Sequence, residues 1–218
     1  MILNRSFKEF KFRHRNKQNQ IIYTSKKVKN DDEVLNLIDN FLEEKNSFIF
    51  ESVEKGKIKG RYTIFGKDPD KIWEFNNNNS YIVKNNKKIK LKEKPENLIE
   101  KIIENFKFET PKTLPKICSL ISGYFSYDSI RYIEKIQDNC KDDLSLPDVR
   151  LLRPRILVIH DNLKKEIFFI NNIFKDEKIL NYQNKYENIK ANLFKLLIQS
   201  SIKKKDNQIN QKLQDIKV

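Results

Sequence analysis

At 218 residues and 38% hydrophobic content, the chain is long enough to bury a sizeable core and too apolar to be disordered. Its net charge of +14, from 44 basic and 30 acidic residues, invites a nucleic-acid partner, but lysine greatly outnumbers arginine and no nucleic-acid motif occurs, so the excess reads as surface composition. No apolar run approaches the roughly 20 residues of a membrane helix, the N-terminus lacks a secretory h-region, and Cys118 and Cys140 show neither metal-ligand spacing nor a disulfide framework, which describes a reduced, cytoplasmic protein.

In chain order, "NQIIYTSKKV" (19–28) predicts a strand from its β-branched and aromatic content. "DDEVLNLIDNFLEE" (31–44) predicts a helix with Val34, Leu35, Ile38, Phe41 and Leu42 on its inward face and Asp31 or Asp32 as its cap. Short strands follow at 48–53, 61–66, 71–75, 80–84 and 87–92. Turn-formers separate them at Lys55-Gly56, Asp68-Pro69, Asn76–Asn79 and Asn85-Asn86, so this region reads as an antiparallel meander. "PENLIEKIIENF" (95–106) predicts a helix with Pro95 near its start and Leu98, Ile102 and Ile103 inward. Residues 117–125 predict a buried strand, and 128–136 a short helix capped by Asp128. "VRLLRPRILVIHD" and "EIFFINNIF" predict a hairpin around Asp161-Asn162, and 176–202 a long helix. The expected architecture is α+β: antiparallel β-sheets in a sandwich-like arrangement with flanking helices. A single domain spans 1–202, and 203–218 is a polar tail that frays or begins a linker.

Two stretches, 48–66 and 123–135, hold all four glycines. In "FIFESV" (48–53) both strand faces are apolar until Glu51 and Ser52 appear side by side, which predicts a sandwiched strand ending in a polar pair. A buried carboxylate needs a cation or backbone donors, and residue type alone allows Arg61 or a lysine to pair with Glu51 across the hairpin. The same pair equally suits a pocket for a small ligand bearing an ammonium group. In "GYFSYDSIRYIEK" (123–135), Asp128 and Arg131 stand three apart on a helix and no nucleophile–base pair is evident, so the stretch reads as architecture. His14 and His160 stand outside any motif.

The residues "ESVEKGKIKGRYTIFGKDPDKIWEF", "GYFSYDSIRYIEKI" and "DDLSLPDVRLLRPRILVIHDNLKKEI" resemble, in this order, three segments of the amino-terminal region of anthranilate synthase component I. The resemblance covers residues 48–167. Para-aminobenzoate synthase component I shares the general layout, and the unbroken "ESVE" and "DDLSLPD" favour the anthranilate branch. A stand-alone amino-acid-binding regulatory module is the alternative from another class.

The resemblance implies an enzyme that converts chorismate to anthranilate and pyruvate, using Mg²⁺ and ammonia delivered by a glutamine amidotransferase subunit. The family's catalytic and Mg²⁺-binding groups lie in a carboxyl-terminal chorismate-binding domain, for which this sequence shows no match. No residue of this chain is therefore expected to be catalytic or metal-binding, and no cofactor is expected on it. What the resemblance implies for this region is packing against the chorismate-binding domain and part of a feedback site for L-tryptophan. The family's tryptophan-contacting strand end stands here as Ile49-Phe50-Glu51-Ser52. Phe50 would offer apolar bulk to an indole ring, and Ser52 and Glu51 would meet the amino acid's polar end. Arg61 matches a basic residue of the following strand.

Overall fold

The computed structural model describes residues 2–30, 32–42, 44–51, 60–137 and 144–201. Two long antiparallel strands, β3 (Tyr62–Asn76) and β7 (Val149–Asp161), form the spine and pair along almost their whole length. Each is long enough to hold a different neighbour at each end of its outer edge. β2 (Phe48–Glu51) pairs with the first part of β3, and β4 (Asn79–Lys84) with its last part, followed outward by β5 (Lys87–Lys90). On β7, β6 (Ser122–Phe125) pairs with the first residues and β8 (Glu166–Ile173) with the last, followed outward by β1 (Gln20–Lys27). Among the described residues this makes one connected, wholly antiparallel eight-stranded sheet. The expected α+β class holds, and the sheets anticipated from sequence are the two halves of this one.

The halves meet where Pro69 faces Pro154. Neither proline has an amide hydrogen to donate to the ladder, so a break there costs least. The register shifts between Pro69 and Lys71, leaving Asp70 as the extra residue of a bulge. The bulge inverts the alternation of β3. Phe65 and Val158 face one side of the sheet; beyond the bulge Trp73 and Phe75 share the other side with Leu151, Val149, Leu157 and Ile159. The Asp68-Pro69 turn expected from sequence is this bulge inside a continuous strand, with Asp68 at φ 51°.

One face of the sheet carries the helices α1 (Phe7–Arg15), α2 (Asp32–Leu42) and α4 (Tyr182–Gln199). They bury Phe10, Val34, Leu37, Phe41, Tyr186, Ile189, Leu193 and Leu196 against Ile22, Phe65, Val158 and Phe169. On the opposite face, residues 108–121 cover Ile21, Leu157, Ile159 and Phe168, while α3 (Pro95–Asn105) packs Leu98, Ile99 and Ile102 against Trp73 and Phe75. In α2, Leu37 joins Val34 and Phe41 in the core in place of the expected Leu35, which is 57% exposed; in α3, Ile103 is 65% exposed and Ile99 takes its place beside Leu98 and Ile102.

Other expectations change locally. α1 is absent from the sequence reading although its signal is present: Ser6 and Glu9 form a reciprocal capping box, with the Glu9 carboxylate accepting from the Ser6 amide at 2.8 Å. The strand expected at 117–125 is confined to β6, because turns around Pro111 and Pro115 occupy the preceding residues. The helix expected at 128–136 is a 3₁₀ helix, Tyr127–Tyr132, fastened by Asp148, which accepts from Tyr132 Oη at 2.7 Å and from the Asn77 amide at 3.1 Å. The long helix begins at Tyr182, capped by Asn181. Residues 203–218 lie outside the described residues.

Ion pairs fasten the bulge. Arg153, nearly buried, donates from Nε and Nη2 to Asp70 (2.7 and 2.5 Å) and from Nη2 to Asp176 (2.8 Å), and Lys71 also reaches Asp176. Partial burial works against the Asp176 carboxylate, but the hydrogen bonds and charge of Lys71 and Arg153 outweigh it and hold its pKa at about 2. A carboxylate whose folded pKa lies below its unfolded value of about 3.9 stabilises the fold above that value and loses the contribution as pH falls through the folded one. Stability should therefore drop between about pH 4 and pH 2. Asp176→Asn should be less stable at pH 6 and lose less on acidification. Parallel melting curves of wild type and variant across that window would refute this.

Candidate functional site

The polar pair read from "FIFESV" sits at the end of an edge strand. β2 is hydrogen-bonded to β3 with Phe48 opposite Gly66, Phe50 opposite Ile64 and Glu51 opposite Thr63. Its two apolar faces have separate causes. Ile49 packs against the helix-covered core, and Phe48 against the core beneath residues 108–121. The strand is not sandwiched along its length: Phe50 is 47% exposed and Glu51 is exposed. Phe48 and Phe50 lie with ring centroids 5.0 Å apart and planes tilted by 39°, so the exposed ring has an aromatic neighbour on its own strand.

Gly66 makes this placement possible. The Phe48 ring lies over it so closely that a Cβ at residue 66 would stand 2.2 Å from the ring. The glycine thus seats the aromatic that seats Phe50. At the other end of the hairpin Gly60 has φ 91°, a conformation that favours glycine.

Ser52 lies outside the described residues, as do Lys55 and Gly56 of the expected turn. Phe50 and Glu51 project to opposite faces of the sheet. Glu51 shares a row with Thr63 and His160, both buried; His160 is an interior strand histidine. Arg61 does not serve as the partner of Glu51. Its Nε and Nη2 donate to Asp161 Oδ1 and Oδ2 at 3.1 and 2.8 Å, a bidentate pair with a carboxylate that is 1% exposed. Burial alone would raise the Asp161 pKa, but the Arg61 hydrogen bond and the Lys164 and Leu163 amides hold it below the usual carboxylate range. The Asp161 hydrogen bond in turn raises the pKa of Arg61. Asn162 completes the clamp, donating its amide to the Arg61 carbonyl at 2.8 Å and its side chain to the Gly60 carbonyl at 3.1 Å. The β7–β8 turn therefore fixes the start of β3, and Arg61 presents a guanidinium that is 38% exposed and lies 4.8 Å from the Tyr62 ring.

Sequence reasoning missed Asp161 as the carboxylate of this clamp. It stood at a hairpin turn, where an Asp-Asn pair suggested only turn chemistry, and its partner lies 100 residues away. Elsewhere, His14 is buried, contacts Tyr182 Oη at 2.9 Å, and has its pKa lowered chiefly by burial. Cys118 is buried, and burial pushes its thiol up. Among the described residues no group of His, Cys, Asp and Glu is arranged to hold a metal ion, and no helix is long and apolar enough to cross a membrane.

Fold and site together define an α+β domain that offers an aromatic ring, a carboxylate and a clamped guanidinium around one edge hairpin. Over most of its length the chain is homologous to part of anthranilate synthase component 1, the family that its three motifs resemble. It is 31% identical over 167 residues to that protein from Cereibacter sphaeroides, covering 74% of this chain and 33% of the relative. It is 31% identical over 140 residues to the one from Acetivibrio thermocellus, covering 64% and 28%. To anthranilate synthase alpha subunit 2, chloroplastic, of Arabidopsis thaliana it is 32% identical over 146 residues, covering 61% and 24%. The chain thus spans about a third or less of the length of these curated relatives. The crystal structure of anthranilate synthase component I from Streptococcus pneumoniae TIGR4 shares the fold, with a TM-score of 0.52, 20% identity, and coverage of 77% of this chain and 35% of that one. No family model matches the chain.

Proposed function

We propose that this domain is the amino-terminal regulatory and scaffolding part of an anthranilate synthase component I acting in tryptophan biosynthesis, and that it carries part of an L-tryptophan feedback site. The reading rests on one observation: the segment that resembles the family's tryptophan-contacting strand end is an edge strand, β2, whose last residues are exposed. An edge strand leaves one side open to a ligand and to a second protein surface. An amphipathic amino acid needs an apolar wall and charged partners at one place. Phe50 supplies the wall and Ser52 would meet the amino acid's polar end; Glu51, on the opposite face of β2 from Phe50, would reach the ligand only around the open end of the strand. Arg61 adds positive charge; its pairing with Asp161 makes it a positioned donor and not a free one. The other wall of the pocket would come from a chorismate-binding domain, which we propose as partner together with a glutamine amidotransferase subunit. Mg²⁺ belongs to the chorismate-binding domain in this reading, and the setting is cytoplasmic.

Two experiments test the reading. The chain by itself should make no anthranilate from chorismate, ammonia and Mg²⁺; measurable turnover by the pure chain at any Mg²⁺ concentration would overturn the assignment of chemistry to another domain. Joined to a chorismate-binding domain from a relative, it should support turnover that tryptophan inhibits. Turnover indifferent to tryptophan would remove the feedback role while leaving the scaffolding role in place.

A further inference from the structure

A second cavity lies far from the β2 edge, between α3 and the sheet beside the bulge. It is a cleft open on one side, with a volume of about 290 Å³. At roughly 30 Å³ per water, that is room for on the order of ten small molecules of solvent or one ligand of comparable bulk. Its inner wall is apolar: Trp73 and Ile102 are almost fully buried, and Leu98 and Phe106 complete it. Its rim is cationic, with Lys71, Lys101, Arg153 and Lys175 against the single carboxylate Asp176.

These cations are not equally available. Lys71 and Arg153 are committed to Asp176, and Arg153 also to Asp70, so their charges are already paired; the Arg153 guanidinium lies 3.9 Å from the Phe174 ring centroid and 5.8 Å from that of Trp73. Lys101 holds Glu93 at 3.2 Å in an exposed pair, and such pairs contribute little and exchange readily. Among the described residues Lys175 has no ion-pair partner. The cavity therefore combines a flat aromatic wall with one uncommitted and one weakly committed ammonium at its mouth. A neutral apolar ligand would leave those charges unused, and a hydrophilic anion would leave the wall dry and empty. Small ligands bind preferentially in concave sites of this make-up, apolar with a few convergent polar groups.

We propose that this cavity binds a small aromatic monocarboxylate, with its ring against Trp73 and Phe106 and its carboxylate at Lys175 and Lys101. The site is independent of the tryptophan-sensing reading, since it shares no residue with the β2 edge.

Trp73 is the only tryptophan of the chain, so its fluorescence reports on this cavity alone. The full chain is titrated with benzoate, with benzamide as a neutral analogue of the same shape, and with inorganic phosphate as an anion without a ring. Benzoate should change Trp73 emission saturably, with a Kd of about 1 mM, as expected of so small a ligand. Benzamide should bind at least tenfold more weakly, and phosphate should leave the emission unchanged. Lys175→Met, at a partly exposed position, should weaken benzoate at least tenfold with an unchanged melting temperature. Leu98→Phe, which fills the cavity, should abolish the response while the circular dichroism spectrum stays that of the wild type. A linear, non-saturating response to benzoate overturns the proposal. So does equal binding of benzamide, an equal response to phosphate, or undiminished binding by Lys175→Met. Should Leu98→Phe fail to fold, the Lys175→Met and benzamide comparisons decide the matter by themselves.

Discussion

In an enzyme assembled from this chain and a chorismate-binding domain, Ser52→Arg or Ser52→Phe should relieve tryptophan inhibition by roughly ten- to hundredfold while the uninhibited rate stays within a few-fold. The motive is the position of β2. Its apolar residues are consumed by two cores, Ile49 on one face and Phe48 on the other, and what remains at its end is the exposed ring of Phe50 and the carboxylate of Glu51. Ser52 is the next residue of the chain and, in the proposed reading, would be one of the tryptophan contacts. Removing one polar partner of a ligand held in a partly dry pocket costs about 1–3 kcal/mol, which is the quoted range in affinity. Arginine or phenylalanine would also occupy space the ligand needs. If Ser52 serves only the hairpin, the same changes lower melting temperature and activity together and leave the inhibition constant of the surviving enzyme alone. Inhibition constant, uninhibited rate and melting temperature measured on one set of variants separate the two. A stably folded Ser52 variant with unchanged inhibition would take Ser52 out of the site.

Gly123→Ala should be more damaging than Gly66→Ala, costing about 2–3 kcal/mol, at the upper end of single-residue effects. Gly123 lies in β6 opposite Leu151, and a Cβ there would stand 1.9 Å from the Arg150 carbonyl oxygen and 3.0 Å from the Leu151 Cα. Both are backbone atoms of β7, which is locked to β3 along its other edge and cannot retreat. β6 must move instead. That breaks its four-residue ladder, strains the 2.7 Å hydrogen bond from the Ser126 amide to the Asp148 carbonyl, and loosens Ile121 and Tyr132 from the Trp73 cluster. In a chain of this size the cost corresponds to a fall of about 5–10 °C in melting temperature. Gly66→Ala is the informative contrast. Its clash is with the ring of Phe48, a side chain on an edge strand that can swing aside, so the loss should be less than half as large. Melting temperatures for the pair test the ordering; a Gly123→Ala protein that melts within about 2 °C of wild type would show that β6 is not seated as described.

Much of the local structure was legible because it depends on neighbours in the chain. The β7–β8 hairpin, the α4 stripe of Tyr186, Ile189, Leu193 and Leu196, and the β3–β4–β5 meander all follow from periodicity and turn chemistry, which act over a few residues. The α1 capping box was equally local and was overlooked behind the basic charge of the N-terminal segment. The family was legible for the same reason, since its motifs are contiguous. Glu51 and Ser52 entered the candidate site through the face pattern of their strand as well as the resemblance, and Phe50 and Arg61 through the resemblance alone.

What only the tertiary structure decided depends on contacts between distant segments. Alternation along β3 predicts that Phe65 and Trp73 share a face, because both numbers are odd; the bulge opposite Pro154 turns them to opposite faces, and nothing within β3 announces that its partner carries a proline at the matching place. The partner of Arg61 was undecidable for a like reason. Charge allows any nearby carboxylate, whereas the fold brings Asp161, 100 residues away, into a bidentate pair and leaves Glu51 on the other face. The α3 cavity is the extreme case: Trp73, Arg153 and Lys175 share no motif, and the pairing of β3 with β7 and of β7 with β8 is what assembles them. By itself, then, the sequence determined most of the elements, their order and the resemblance to the family, which are properties of contiguous residues. Register, the facing of each side chain and the pairing of buried charges came only with the fold, because each is set by the residue on the neighbouring strand.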